Sequence, residues 1–197
     1  MRLFNRIVKR SFDFWASLMG MVLLFPLYLI IAALIWSEDK GKVIFTQERV
    51  GFKGDTFVLY KFRTMCLAAE PEGKPKLCMK CDKRLTRIGI FLREHHLDEL
   101  PQLYNILKGE MSFVGPRPER RFYVNQIVSI NPNYELLYKV RPGVFSEATL
   151  YNGYTDTMEK MLIRLDMDLS YLERQSLWLD LKIIILTVWN ILSGKKF

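Results

Sequence analysis

The stretch from Phe14 to Trp36, FWASLMGMVLLFPLYLIIAALIW, contains no charged residue. A run of that length suffices to cross a hydrocarbon core, which needs roughly 20 residues. It is too long for the apolar core of a signal peptide, and no A-x-A cleavage site follows it. A buried helix of a soluble protein is the competing reading. The flanking charge and the Trp15 and Trp36 side chains near its ends favour a membrane. Pro26 stands in the middle of the run. Its ring has no amide hydrogen and collides with the preceding turn, so a helix must kink or break there.

Charge gives the segment a direction. Arg2, Arg6, Lys9 and Arg10 precede it with no acid among them, and Asp13 follows. Such basic ends stay in the cytosol. A full crossing would leave everything after Trp36 outside, yet the remainder carries free thiols and phosphate-type chemistry that belong inside. A helix that enters, bends at Pro26 and returns meets both demands, and it places Met1 and Phe197 on the same cytosolic side. A straight crossing with inverted charge bias is the alternative. The organisation expected is residues 1–37 as a re-entrant membrane helix and residues 38–197 as a cytosolic domain with interfacial helices.

The chain has 197 residues, half of them hydrophobic, which allows one domain with a sizeable core and argues against disorder. Its net charge of +8 points to phosphate-bearing partners: nucleic acid, anionic lipid or a nucleotide. A nucleic-acid binder would gather basic and aromatic positions on a recognisable module, and none is found, so no nucleic acid is expected. Cys66, Cys78 and Cys81 form no closed disulfide framework. Cys78-Met-Lys-Cys81 is half a zinc site that Cys66 and His95 or His96 would have to complete. Surface thiols, dispensable and without zinc, are the expectation.

Along the chain, Val43 to Met65 has two strand-like runs around Gly51-Phe52-Lys53-Gly54, the pattern of a hairpin. Alternation puts Lys61 and Arg63 on one face of its second strand. Arg84 to Glu94 reads as a helix carrying Arg87 and Arg93 toward His95, His96 and the acids that follow. A helix follows Pro118, and another opens at Asn131-Pro132. Met158, Met161, Leu162, Leu165, Leu169 and Leu172 keep helical spacing, with Lys160, Arg164 and Glu173 off the stripe. Leu177 to Leu192 is apolar nearly all round. Both segments suit core helices or, with Trp178 and Trp189, packing at a membrane surface.

The densest stretch is Leu97 to Glu119, LDELPQLYNILKGEMSFVGPRPE. Asp98 is placed to cap a helix with Pro101 in its first turn, Leu100, Leu103, Tyr104 and Leu107 on one face, and Gly109 as its stop. Adjacent carboxylates at Asp98 and Glu99 suit a divalent cation or nucleophilic attack on phosphorus; a cap with first-turn charge is the plainer reading.

The ordered set QERVG, YKFRTM, Arg93 five residues before DELPQLYNILKGEMSFVGPRPE, and RPG at 141–143 resembles the bacterial sugar transferases known as small monotopic phosphoglycosyl transferases. The resemblance implies a membrane-anchored α/β, mostly helical fold: a re-entrant N-terminal membrane helix, a small β-hairpin or sheet, and interfacial amphipathic helices at the cytosolic face of the bacterial inner membrane. It implies transfer of a phospho-sugar from a UDP-sugar to polyprenol (undecaprenyl) phosphate with release of UMP and use of Mg²⁺, as the first membrane step of glycoconjugate assembly. By the same resemblance Asp98 is the nucleophile, and Glu99 its partner in a dyad that holds the metal. Lys61, Arg93, Arg117 and Arg141 become substrate-binding cations. The chain departs from the family pattern in three places. Phe25-Pro26 replaces a Ser-Pro pair, the CxxC loop and His95-His96 are additions, and Val144-Phe145-Ser146-Glu147 replaces the usual continuation of RPG. The rival from another class is a catalytically idle membrane scaffold for a glycan-assembly complex. It predicts a damaged dyad, and both acids are present. Neither the sugar nor the oligomeric state is written in the residues.

Overall fold

Two helices form from the N-terminal apolar run: α1 (Leu3–Leu23) and α2 (Phe25–Asp39) meet at 61°. This is a computed structural model, and it describes residues 3–66, 82–153 and 155–193. The break has a local cause. Leu24 N–H donates to Gly20 and Tyr28 N–H to the Leu24 carbonyl, both at 2.9 Å. Pro26 has no N–H to continue the ladder between them. It sits in the first turn of α2, where that loss costs little. No single described helix is long and apolar enough to cross a membrane; the bent pair is, by length and composition.

α1 is inverted with respect to a helix packed for water. Its buried residues are Asp13 and Ser17, while Phe4, Ile7, Trp15, Met19, Val22 and Leu23 are exposed. α2 packs Ile31 and Ile35 against Phe62 and Leu92. Its Glu38 carboxylate accepts from the Arg87 N–H at 2.8 Å, which ties it to the next helix.

The hairpin is present. β1 (Ile44–Val50) and β2 (Thr56–Phe62) are antiparallel, with Ile44 opposite Phe62 and Val50 opposite Thr56. The turn closes through Gly51 N–H on the Asp55 carbonyl at 2.8 Å. α3 (Arg87–Glu94) begins later than the sequence pattern, because the Thr86 hydroxyl caps it by accepting from Gly89 N–H.

The expected capping role of Asp98 is corrected here. Leu97–Glu99 forms a separate 3₁₀ turn, entered through His96 at φ 54°, and Pro101 occupies the N-cap of α4 (Gln102–Lys108). Asp98 makes no cap bond. The face of α4 also differs from expectation: Gln102, Asn105 and Ile106 are buried and Tyr104 is exposed. Gly109 ends the helix at φ 87°, as expected.

A second small sheet was not anticipated. β3 (Ser112–Val114) is followed by α5 (Arg121–Ile130), a 3₁₀ segment (Pro132–Lys139) and β4 (Gly143–Phe145), which returns parallel to β3. Two turns touch at this point. A Cβ on Gly143 would lie 2.1 Å from the Gly115 nitrogen, and one on Gly115 would lie 2.4 Å from the Arg141 carbonyl oxygen. Only glycines permit that approach, and it brings the turn carrying Arg117 against Arg141-Pro142-Gly143.

The chain closes with α6 (Glu147–Asn152), α7 (Met158–Arg174) and α8 (Leu177–Leu192). The main apolar cluster joins Val50, Tyr123, Val124, Ile127, Tyr134, Leu137, Met161 and Leu165. Truncating Ile127 to Ala there should cost about 2–5 kcal/mol. Arg164 is not on a solvated face: it is buried and bonded to Glu119. On α8, Trp178 and Trp189 are 75% and 66% exposed. The fold is therefore mostly helical, with two two-stranded sheets among the described residues.

Candidate active site

The 3₁₀ turn delivers Asp98 and Glu99 to the open end of β2. Asn105 fixes that meeting: its side-chain amide donates to the Val58 carbonyl at 2.7 Å and its oxygen accepts from Tyr60 N–H at 3.2 Å. Lys61, next on the strand, donates to Glu99 Oε1 at 2.5 Å and stands 3.8 Å from Asp98 Oδ2. Arg117, from the GPRP turn, reaches the same Glu99 oxygen at 3.0 Å.

The two acids thus sit in different fields. Burial disfavours a charge on Glu99, but Lys61 and Arg117 more than offset it and hold its carboxyl well below the ordinary range. Asp98 is 6% exposed. Burial pushes its carboxyl up, Lys61 pulls the other way, and the fixed charge of Glu99 adds to the rise. One acid is locked as an anion; its neighbour is a carboxylate with a loose partner.

The remaining candidates are distributed unequally. Arg93 donates through Nε to the Thr64 hydroxyl at 2.9 Å and lies close enough to Asp98 to favour its ionised form. The Arg141 Nε bonds the Gly109 carbonyl at 2.7 Å and its guanidinium lies over the Phe52 ring, so its side chain is not brought to the carboxylates. Arg63 does not share a site with Lys61; it turns to Asp39 at the end of α2. His96 is lowered by burial, against the pull of Glu99 and Asp98. His95 stacks on Phe91 and contacts the Phe91 carbonyl at 2.9 Å. Among the described residues, no three His, Cys, Asp or Glu side chains gather as metal ligands. Cys66 is exposed, and Cys78 and Cys81 lie outside the described residues, as does any zinc site built on them.

A narrow cleft lies beside the pair, lined by Arg49, Leu59, Lys61, Gln102, Arg117, Pro118 and Gly143. Arg49 and Gln102 were not singled out in the sequence. Arg49 looks like a strand-surface cation, and Gln102 like a polar residue between helix signals. Arg49 is held from behind. It bonds the Pro118 carbonyl at 3.0 Å and Glu119 at 3.2 Å, and Glu119 is also bound by Arg164 of α7. Asp168 of α7 accepts from the Arg117 backbone N–H, and burial pushes its carboxyl up to about 7. The GPRP turn is therefore gripped by helix α7.

The N-terminal helices also reach this region. Tyr28 of α2 donates to the Leu100 carbonyl at 2.5 Å, and Arg10 of α1 donates to the Ile106 and Leu107 carbonyls at 2.7 and 2.9 Å. Arg10 so meets the carbonyl end of α4, where positive charge is favourable.

A carboxylate pair in a cationic cleft is suited to phosphoryl chemistry, and the comparisons with known proteins agree. The bacterial sugar transferase family model matches residues 4–194. A UDP-N-acetylgalactosamine-undecaprenyl-phosphate N-acetylgalactosaminephosphotransferase of Aeromonas hydrophila is 40% identical over 95% of this chain and 44% of its own length. A UDP-glucose:undecaprenyl-phosphate glucose-1-phosphate transferase of Klebsiella pneumoniae is 43% identical over 94% of this chain and 40% of its own length. The exopolysaccharide production protein PSS of Rhizobium leguminosarum bv. phaseoli is 36% identical over 97% of this chain and 98% of its own length. The chain spans less than half of the first two relatives and nearly all of the third. By motif, site and match, this chain belongs to the bacterial sugar transferase family.

Proposed function

We propose that this protein transfers a phospho-sugar from a UDP-sugar to polyprenol phosphate, releasing UMP, through a covalent intermediate on Asp98. The observation that carries the reading is the division of labour between the two acids. Glu99 is neutralised by Lys61 and Arg117, while Asp98 is buried beside it with no close ion pair, 3.8 Å from Lys61. An Asp98 oxygen attacks the phosphorus that bears the sugar, the bond to the UMP oxygen breaks, and UMP leaves with the electron pair. An oxygen of polyprenol phosphate then attacks the same phosphorus and frees Asp98. Splitting the transfer this way spares a soluble donor and a membrane acceptor from meeting at once.

The residues fit Mg²⁺. That ion takes one or two protein carboxylates and fills its other positions with water and substrate phosphate. Asp98 is the carboxylate with room for a new positive neighbour, and Glu99 stands beside it. When bound, the ion neutralises phosphate charge as it develops. The chain's own cations do the rest: Lys61 and Arg117 orient Glu99 and line the cationic cleft, and Arg93 favours the ionised form of Asp98.

The bent α1–α2 pair, with its apolar outer surface, supports a re-entrant anchor spanning residues 1–37, with residues 38–197 at the cytosolic face of the inner membrane. The exposed Trp178 and Trp189 of α8 support contact with membrane lipids. Accessibility labelling of both chain ends in intact cells tests this; one end labelled from outside means a true crossing.

The reaction is tested by intact-protein mass spectrometry. Mixed with Mg²⁺ and the UDP-sugars named for the relatives, and without lipid, the protein gains the mass of a phospho-sugar. Asp98→Asn does not. UMP release that strictly requires the lipid would instead mean direct transfer in a ternary complex.

A further inference from the structure

Gln102 is 3% exposed, lines the cleft beside the carboxylates, and its amide nitrogen Nε2 has no hydrogen-bond partner. Buried donors are nearly always satisfied, because an unmet one forfeits its hydration without return. The Nε of Arg49, on the same cleft, is also buried and unpartnered. Arg63 buries unpartnered atoms too, but it faces Asp39 and does not line the cleft. Two unmet donors in one cleft therefore mark a place for acceptor oxygen.

The surroundings decide what kind of oxygen. Arg49, Lys61 and Arg117 make the cleft cationic. Glu99 absorbs close bonds from Lys61 and Arg117, and Glu119 holds one end of Arg49. Gln102 Nε2 and the Arg49 Nε are the buried donors on this cleft left without a partner. A neutral amide beside a guanidinium suits an anionic oxygen better than a neutral carbonyl, since hydrogen bonds to charged acceptors are the stronger ones.

We propose that Gln102 is a substrate-binding residue whose side-chain amide donates to a phosphate oxygen of the sugar nucleotide. This rests on the reaction proposed above and adds a contact to it. The position also explains why the DELPQ stretch keeps a polar side chain on the buried face of α4. Gln102 is not there to hold the ligand-free fold together, and its amide becomes satisfied when nucleotide enters.

The test uses the full chain in detergent, with UDP as probe and uridine as the control lacking phosphate. Gln102→Met keeps length and removes the donor. The expected result is UDP binding weakened about 10- to 100-fold, with uridine binding unchanged. Without nucleotide, its melting temperature is unchanged or higher, because an unmet donor has been removed. Unchanged UDP affinity overturns the proposal. So does a clear drop in melting temperature, which makes the amide a structural partner. If the unaltered protein forms the phospho-sugar adduct while Gln102→Met binds UDP normally, the reaction stands and the donor role falls. If the unaltered protein neither forms the adduct nor binds UDP, both fall.

Discussion

Of the places where this molecule buries charged groups, two are finished to different degrees. Where α1 meets the rest of the chain, Lys9 donates to the Val114 carbonyl at 2.7 Å and to Asp180 at 2.6 Å, and Tyr171 donates to Asp180 at 2.6 Å. Asp13 accepts from Phe113 N–H at 3.1 Å. At the cleft, Asp98 has a loose partner and the Arg49 Nε and Gln102 Nε2 have none. Each charged side chain at the first site has a close partner as folded. The second is complete only with something in it. Buried charge stabilises when every lone pair and proton is met, and is a liability when one is not; that liability is what a binding site holds in reserve.

The contrast can be broken by substitution. The largest effect expected is on turnover. Asp98→Asn should slow it by roughly a thousandfold or more. Its melting temperature should hold or rise, because burial disfavours the charge that is removed. An Asp98→Asn protein that unfolds would make the cleft as structural as the seat of α1. Next comes Asp180→Ala, which strands Lys9 and should cost about 3–5 kcal/mol of stability. Replacing Lys9 by Met and Asp180 by Leu together should recover most of it, and chemistry per folded molecule should persist. A stable Asp180→Ala protein, followed by thermal melting in detergent, would dissolve the distinction from the other side.

The last effect asks whether the incompleteness extends behind the cleft. Asp168 has its carboxyl raised to about 7 by burial, against the pull of Arg164. The native state therefore holds a proton that the unfolded chain releases near pH 4. Its contribution is fully present below about pH 4 and is lost as pH rises through about 7, on the order of 4 kcal/mol. Asp168→Asn should flatten the melting profile across that window. An unchanged profile would assign the pH dependence elsewhere.

How much of this was readable beforehand depends on the range of the cause. The break between α1 and α2 follows from Pro26 alone, and the β1–β2 hairpin from Gly51 and Gly54 between two apolar runs. Gly109 announced its own turn. Asp98 as a cap misread a local pattern: acid, Leu and Pro101 look like a helix start, but the left-handed turn at His96 inserts a separate 3₁₀ step. The β3–β4 pair was invisible, because Ser112–Val114 and Gly143–Phe145 are too short to show alternation and are joined only through space. Arg164 showed only as a residue off the apolar stripe, since its partner, Glu119, is far away in the chain. Within the site, Asp98, Glu99, Lys61 and Arg117 are brought together, and these are the residues carried by motif. Arg49 and Gln102 carry no such mark. What singles them out is an unmet donor, a property of the folded state that no spacing rule records.

The bond from Arg10 to the last carbonyls of α4 has a practical consequence. It would be natural to clip the greasy N-terminus and work with a water-soluble remainder. That cut removes Lys9, Arg10 and Asp13, and with them the clamp on the segment that presents Asp98 and Glu99. Helix α1 is not a detachable handle on this protein. A preparation lacking it should be judged by whether the carboxylate pair still takes up phospho-sugar, not by whether it stays in solution.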